Sequence, residues 1–258
     1  MREILLVLSG GQDSTSCGYW AKSLGFEIHA VTFDYGQRHR REIQAAVEIA
    51  GMLGCKSHEI IELGSVLKGT SPLVSDAPLE QYKDHASLPG GLEKTFVPMR
   101  NQLFLTVAAN RAYVRGINYM VTGVCQEDSG GYPDCRRDFI DVFEGACNAG
   151  TFTGEEGTLQ PLAIYTPLMD LTKAQSIHWA LRFPGCYKAL AYSHTSYDGA
   201  YPPTGHDHAT LLRAKGFEEA GVPDPLILRA FNEGRMALPE HPTYEVQFRA
   251  EYEHKIWN

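Results

Sequence analysis

The feature that most constrains the fold is a glycine-bearing loop between an apolar run and a helical pattern near the start of the chain. Residues 3–8 are apolar, as in a buried strand, and residues 13–24 have the pattern of a helix. The loop between them reads Ser9-Gly10-Gly11-Gln12-Asp13-Ser14. Glycines at such a turn let the backbone approach a ligand, and the free N–H groups of the following helix favour an oxyanion. The order strand, loop, helix therefore predicts a phosphate site in an α/β fold.

Strand and helix patterns alternate through the first two-thirds of the chain. Strands separated by helical crossovers indicate a parallel sheet with helices on both faces, as in Rossmann-like nucleotide-binding proteins. After about residue 170 the pattern becomes mainly helical, so we predict a catalytic domain over 1–170 and a smaller C-terminal region over 171–258. The other predicted strands are 27–33, 57–62 and 118–123, and the other predicted helices are 40–53, 101–115, 172–182, 207–220 and 225–233.

The composition argues against several classes of protein. The formal net charge is −8 and the pI is about 5.7, whereas a protein that binds nucleic acid through its phosphates normally has a basic surplus. No apolar run approaches the roughly 20 residues that span a bilayer, and no secretion signal is visible. The six cysteines form no CxxC pair, so we expect reduced thiols. These features favour a cytoplasmic enzyme with a small-molecule substrate, without nucleic acid or membrane as a partner.

Two interpretations of the loop are open at this stage. In the first, it is only a glycine turn that caps a helix through Asp13 or Ser14. In the second, it holds phosphates; the helix dipole supplies only about 0.3–1 kcal/mol when exposed, so several N–H bonds must add to it. The complete string favours the second, and the absence of Gly-Lys-Ser/Thr excludes a Walker loop. The residues expected to hold phosphates are Ser9, Gly10, Gly11, Gln12, Asp13, Ser14 and Thr15.

Four further strings narrow the function. They are Val31-Thr-Phe-Asp-Tyr-Gly-Gln-Arg-His39, Phe96-Val-Pro-Met-Arg-Asn101, Thr122-Gly-Val-Cys-Gln-Glu-Asp128 and Gly131-Tyr-Pro-Asp-Cys-Arg136. The loop itself is similar to the PP-loop of ATP pyrophosphatases, which generally transfer AMP to an oxygen and release pyrophosphate. Together with the loop, the strings resemble the QueC family of 7-cyano-7-deazaguanine synthases over about residues 3–231.

The resemblance implies a reaction, its cofactors and its partners. ATP, with Mg²⁺, would activate the carboxylate of 7-carboxy-7-deazaguanine, ammonia would displace the activating group to give an amide, and a second activation would remove water to leave a nitrile. The loop type favours AMP over ADP as the product. The family also suggests a homodimer. Two alternatives stay open: a related ligase that stops at the amide or joins the deazapurine to another amine, and a non-catalytic nucleotide-binding module.

Four residues are candidates for catalysis. Asp13 can contact Mg²⁺ as well as hold phosphate. Arg38 and Arg100 can neutralise charge that develops on pyrophosphate and carboxylate, since a guanidinium grips either with two bonds. Lys173 lies where the family has a lysine near the nucleotide. Alternatively, Arg38 is one of several solvated charges at a helix start, and Lys173 is an ordinary exposed helix residue.

The substrate is expected at the loop after the strand predicted over 118–123, because ligands of open α/β sheets bind at the carboxyl ends of strands. A carboxylate there can accept hydrogen bonds from the N1–H and exocyclic amine of a guanine-like ring, and Tyr132 can stack on the ring. Asp134 is alternatively a turn residue after a proline. The candidates for substrate binding are Arg100, Glu127, Asp128, Tyr132 and Asp134.

The C-terminal region departs from the family pattern, in which four cysteines usually bind a structural zinc. The matching positions in this chain are Ser196, Thr204, Asp207 and Thr210. A hydroxyl does not replace a thiolate as a zinc ligand, so we predict that the usual site is absent. We expect hydrogen bonds and packing of Tyr192, Tyr197 and Tyr201 to replace it. The ligands of a substitute metal site, the weaker alternative, would be His194, His206 and His208.

Overall fold

A parallel sheet forms the centre of the structure, a computed structural model that describes residues 2–69, 71–88, 91–126 and 131–257. Its strands are β1 (Glu3–Val7), β2 (Glu27–Asp34), β3 (Ser57–Glu62), β4 (Tyr119–Val121) and β5 (Ala163–Tyr165). The helices are α1 (Gln12–Ser23), α2 (Arg41–Leu53), α3 (Arg100–Val114), α4 (Arg137–Gly150), α5 (Lys173–Ala180), α6 (Cys186–Leu190), α7 (His208–Glu219), α8 (Pro225–Asn232) and α9 (Val246–Trp257). The strands pair in parallel in the order β3-β2-β1-β4-β5.

β1 lies at the point where the strand order changes direction. It pairs with β2 on one side, where Leu6 is opposite Ala30, and with β4 on the other, where Leu6 is opposite Val121. Because the three strands are parallel, their carboxyl ends meet at one edge of the sheet, which is where open α/β sheets bind ligands. The loop after β1 therefore lies at the centre of that edge.

Both faces of the sheet are covered by helices, and the predicted α/β class is confirmed. Ile4 and Leu6 are buried in a core that includes residues of α1, α2, α6, α7 and α8, whereas Leu5 belongs to a second core with residues of α3 and α4. Successive side chains of a strand point to opposite faces, so one apolar run serves both cores. The first core draws on helices from both sides of residue 170, and the domain division stays a prediction.

The predicted strands and helices are all present, with ends that differ by no more than two residues. The sequence patterns miss β5, α4, α6 and α9. β5 has three residues with only Ile164 buried, and α9 fully buries only Ile256, so neither shows a clear hydrophobic period. Among the described helices, none is long and apolar enough to cross a membrane.

Met99 occupies a strained backbone position immediately before α3. Its φ is 65° and its ψ is 3°, and no other non-glycine residue in the described ranges has a positive φ. A side chain in the left-handed region costs roughly 1–2 kcal/mol. The Met99 side chain is 59% exposed, so packing offsets little of this cost. The strain is located where the helix that carries Arg100 begins.

We predict that Met99→Gly raises the free energy of unfolding by up to about 1 kcal/mol. The relief of steric strain exceeds the roughly 0.5–1 kcal/mol that glycine loses in conformational entropy. Met99→Val should lower the free energy of unfolding, since a β-branched side chain is poorly tolerated at positive φ. Denaturant titration of both variants measures the two changes. A glycine variant less stable than the wild type would contradict the assignment of strain.

Candidate active site

The loop between β1 and α1 is closed by its own hydroxyl groups. The Ser9 N–H donates to Ser14 Oγ at 3.2 Å, and the two hydroxyl oxygens lie 3.0 Å apart. The Gly11 N–H donates to Ser9 Oγ at 3.2 Å, and Thr15 Oγ1 donates to Gly11 O at 2.7 Å. Thr15 is fully buried. Its hydroxyl therefore shapes the loop from behind, and the contact of Thr15 with phosphate stays a prediction.

Gly10 and Gly123 allow close backbone packing around the loop. Gly10 has a φ of 84°, and a Cβ there would lie 2.2 Å from the carbonyl oxygen of Glu42 in α2. A Cβ on Gly123, after β4, would lie 2.7 Å from the backbone nitrogen of Ser14. The Gly10 carbonyl also accepts a hydrogen bond from the His194 N–H at 2.9 Å. The loop is thus held between α2, the end of β4 and the segment after α6.

A cavity of about 360 Å³ opens beside the loop, at the carboxyl edge of the sheet. Its size falls in the usual range for small-molecule sites, roughly 300–1,000 Å³. The structure brings residues from several distant sequence strings to this one cavity. The predicted site residues that line it are Ser9, Gly11, Gln12, Asp13, Ser14, Arg38, Arg100, Tyr132 and Lys173.

Lys173 reaches the loop from the first turn of α5. Its Nζ lies 3.1 and 3.0 Å from the two carboxylate oxygens of Asp13. The Lys173 side chain is only 14% exposed, and a Cβ on Gly216 would lie 2.3 Å from its Cγ, so α7 packs directly on it. Lys173 is therefore not an ordinary exposed helix residue. It places beside the loop the cation that a Walker loop would supply from its own sequence.

Arg100 presents a charged guanidinium to the cavity. Burial acts to lower its pKa, but four groups that face it together raise the pKa above its usual value. These groups are Tyr35, Tyr132, Tyr197 and Asp134. The guanidinium stays protonated, so it can meet an anionic substrate group with two hydrogen bonds.

Asp134 holds the start of α3 and does not itself line the cavity. Its Oδ2 accepts from the Asn101 N–H at 3.4 Å, and its carbonyl accepts from Asn101 Nδ2 at 3.2 Å. Burial raises the pKa of the Asp134 carboxyl, against the opposing effect of Arg100. Asp134 therefore positions the start of α3, and its contact with substrate stays a prediction. Glu127 and Asp128 lie outside the described residues.

Tyr132 and Arg38 both line the cavity but differ in exposure. The Tyr132 hydroxyl lies 2.7 Å from Thr95 Oγ1, and its ring centroid is 5.2 Å from that of Phe96. Tyr132 is buried, and these two contacts hold its side chain in place. Its ring therefore offers a fixed aromatic surface to the cavity. Arg38 is exposed and donates to Ala77 O at 2.9 Å. Stacking on Tyr132 and charge neutralisation by Arg38 stay predictions.

Glu42 and His39 line the cavity but are missing from the predicted site residues. Burial raises the pKa of Glu42 to about 7, against the lowering effect of Arg100. Burial lowers the pKa of His39, whose ring centroid lies 5.0 Å from that of His194. His39 is the last residue of one of the four strings that carry the family resemblance. Glu42 gives no such signal, because an acidic residue in the first turn of a helix is ordinary.

Hydrogen bonds join the four positions at which the family carries zinc-binding cysteines. Ser196 Oγ contacts the carboxylates of Asp198 and, at 3.0 Å, Asp207. Thr204 Oγ1 donates to Asp198 Oδ2 at 3.0 Å, and the Thr210 N–H donates to Asp207 Oδ1 at 2.9 Å. Ser196, Asp207 and Thr210 are buried. Two carboxylates thus connect positions that a metal ion connects in the family.

The three histidines considered for a substitute metal site point to different partners. His194 Nε2 lies 2.8 Å from a carbonyl oxygen of its own segment, His206 Nδ1 lies 3.3 Å from Tyr82 O, and His208 Nε2 lies 3.6 Å from Glu93 Oε1. Across the described ranges, no three His, Cys, Asp or Glu side chains are grouped so as to hold a metal ion. The structure therefore does not assemble this alternative site.

The tyrosines expected to support this region have separate roles. The guanidinium of Arg229 in α8 lies 4.2 Å from the ring centroid of Tyr192 and 5.1 Å from that of Tyr201. Tyr197 instead lines the cavity, within electrostatic range of Arg100. Two tyrosines therefore attach the region to α8, and the third attaches it to the active site.

The sequence matches one protein family over most of its length. The family model described as "Queuosine biosynthesis protein QueC" matches residues 3–221. A 7-cyano-7-deazaguanine synthase of Gloeobacter violaceus is 49% identical over 228 residues, which are 88% of this chain and 96% of that protein. A 7-cyano-7-deazaguanine synthase of Chromobacterium violaceum is 47% identical over 229 residues, which are 87% of this chain and 93% of that protein. On this match and on the arrangement of its loop, lysine and arginine around one cavity, the chain belongs to the QueC family.

Proposed function

We propose that this chain converts 7-carboxy-7-deazaguanine, ATP and ammonia into 7-cyano-7-deazaguanine. The observation that carries the proposal is that a phosphate loop with its lysine and a charged arginine open onto the same cavity. Activation of a carboxylate requires its oxygen to meet the α-phosphate of ATP, and this cavity offers binding groups for both. Membership of the QueC family, with relatives named 7-cyano-7-deazaguanine synthase, supports the same reaction.

The loop end of the cavity is proposed to bind the phosphates of ATP. Backbone N–H groups at the start of α1 and the ammonium of Lys173 both favour an anion there. The Asp13 carboxylate lines the cavity and is the kind of hard oxygen ligand that Mg²⁺ prefers, so it fits that ion. When bound, Mg²⁺ supplies neutralisation of phosphate charge. Asp13 and Lys173 would then exchange their mutual ion pair for contacts to the ion and the phosphates.

The Arg100 end is proposed to bind the deazapurine. The guanidinium can hold the substrate carboxylate with two hydrogen bonds while one of its oxygens attacks the α-phosphate. Tyr132 offers an aromatic surface for the heterocycle. The activated carbonyl carbon then accepts ammonia to give the amide, and a second activation removes water to leave the nitrile. We propose AMP and pyrophosphate as the products of ATP, on the basis of the loop type.

The test of this function is incubation of the protein with 7-carboxy-7-deazaguanine, ATP and ammonium, with products identified by mass spectrometry. We expect the nitrile together with AMP and pyrophosphate. Asp13→Asn and Lys173→Met should each lower kcat/KM by about 10²-fold or more, the scale for removal of one charge-stabilising group. Lys215→Met on the outer side of α7 is the matched control and should leave kcat/KM unchanged. An amide as final product would favour the ligase alternative, and no consumption of ATP would favour a nucleotide-binding module.

We further propose that the segment from 194 to 210 folds without zinc. The four positions present two threonines, one serine and one aspartate, a donor set without thiolate or imidazole that does not fit a structural zinc site. Hydrogen bonds from hydroxyl and N–H groups to the Asp198 and Asp207 carboxylates support the alternative. Hydrogen bonds to charged groups contribute about 1.5–3 kcal/mol each, more than neutral ones. A few of them can therefore replace one metal ion as the local cross-link.

We predict that Ser196→Ala lowers the free energy of unfolding by about 1–3 kcal/mol, because it removes a buried hydroxyl between two carboxylates. Ser65→Ala, at an exposed position, is the control and should change the free energy of unfolding little. Elemental analysis should find no stoichiometric zinc, and a chelator should leave the unfolding midpoint unchanged. About one zinc per chain, together with a lower midpoint in chelator, would overturn the proposal.

A further inference from the structure

Glu42 is a carboxylic acid that lines the active cavity without a partner in the described part of the chain. It lies in the first turn of α2, and no hydrogen bond or ion pair to its carboxyl is present among the described residues. Asp13, the other acidic residue lining the cavity among those described, is paired with Lys173. Glu42 is therefore open to a partner bound in the cavity.

The position of Glu42 is between the two halves of the site. Its own carbonyl oxygen packs against Gly10 of the phosphate loop, where a Cβ would lie at 2.2 Å. Its carboxyl interacts electrostatically with Arg100 of α3, with Tyr35 at the end of β2 and with Tyr197 after α6. The carbon of an acyl phosphate formed between the loop and Arg100 would therefore lie near this carboxyl.

The electrostatic surroundings suit a group that exchanges a proton near neutral pH. Burial raises the pKa of Glu42 to about 7, and Arg100 opposes this shift. His39 and His194 also line the cavity, but burial lowers the pKa of His39 and lowers that of His194 to about 4. These two imidazoles are therefore weaker proton acceptors than they would be in water. The third imidazole that lines the cavity, His208, lies 3.6 Å from Glu93 Oε1. Of the groups compared with it, Glu42 is a better base than His39 and His194.

We propose that Glu42 binds ammonium in the cavity and takes its proton for the amide-forming step. This inference rests on the proposed function, since it assigns the acceptor site of that reaction. An unpaired carboxylate repels a carboxylate substrate and ATP but attracts a small cation. Ammonium is the cation that the reaction consumes.

The proton and electron balance of this step is simple. One proton passes from ammonium to the Glu42 carboxylate, which frees the nitrogen lone pair. The nitrogen then forms a bond to the activated carbonyl carbon, and the carbon–oxygen bond to AMP breaks with its electron pair on the phosphate oxygen. The second excess proton on nitrogen passes to that phosphate. The amide, monoprotonated AMP and protonated Glu42 remain, and Glu42 returns its proton to solvent.

The experiment compares Glu42→Gln with the wild type in two separate readouts. Exchange of labelled pyrophosphate into ATP, dependent on the 7-carboxy substrate, measures activation alone. Single-turnover formation of the amide at varied ammonium measures the step that needs the base. We expect amide formation to fall by about 10²-fold, the lower end of the range for removal of a general base, and to fall far more than exchange does. Glu48→Gln, exposed on the same helix, is the matched control and should match the wild type in both.

The pH dependence separates a base from a merely structural residue. A base has to be ionised, so the wild-type rate of amide formation should rise as the pH passes upward through about 7, the pKa of Glu42. The wild-type rate should then level off, whereas the rate of Glu42→Gln should follow free ammonia, rising without a plateau above pH 7 and being partly restored by high ammonium at alkaline pH. Thermal unfolding of both variants checks that they fold.

Each outcome decides a different question. Equal losses of exchange and amide formation in Glu42→Gln would place the residue in the activation step and overturn the proposal, as would wild-type rates in both readouts. If the wild type itself showed no substrate-dependent exchange and no product, the proposed function would fail, and the ammonium site would fail with it. Exchange in the wild type with a selective loss in Glu42→Gln supports both.

Discussion

The ion pair between Asp13 and Lys173 joins the two parts of the chain that form the site. It connects the start of α1 to the start of α5, and the packing of Gly216 against the Lys173 side chain fixes the direction of that side chain. A partly shielded pair of this kind contributes more to stability than an exposed pair does. It also has a smaller desolvation cost than a deeply buried pair. Its two charges compensate each other when no ligand is bound. The site can therefore hold both charges in place without a large electrostatic penalty beforehand.

A second ion pair holds the C-terminal segment against the phosphate loop. Arg213 donates to both carboxylate oxygens of Asp224, at 2.6 and 2.8 Å, and also to Thr195 Oγ1 at 3.0 Å. The neighbouring His194 N–H binds a loop carbonyl, so this pair positions backbone that contacts the loop. The family match ends at residue 221, yet Asp224 lies after it, and its N–H donates to Tyr244 Oη at 3.2 Å. The chain after the match thus stabilises the segment in which carboxylates stand where the family has zinc.

The sequence predicts those parts of the structure that depend on local pattern and fails where distance in space decides. The loop, the sheet class and Arg100 all follow from contiguous strings, because a strand, a glycine turn and a helix start are local features. Thr15 is local too, but which way its hydroxyl points depends on a backbone carbonyl within the folded loop. The importance of Glu42 depends on its distance from Arg100, which lies on another helix. No hydrophobic period or sequence motif indicates that distance. The short strand β5 is likewise not marked by any sequence pattern.

Local charge, not the net charge of −8, determines how this protein can hold two anions in one cavity. Lys173 and Arg100 provide positive charge at the two ends, and Asp13 is compensated by Lys173. Burial brings the pKa of Glu42 to about 7, so its charge changes near neutral pH. In its neutral form it does not oppose the entry of ATP and a carboxylate. In the proposed reaction, its ionised form attracts the ammonium cation. In the proposed reaction a single half-buried carboxyl therefore serves both the binding of the anions and the step that follows, provided that it exchanges its proton between the two.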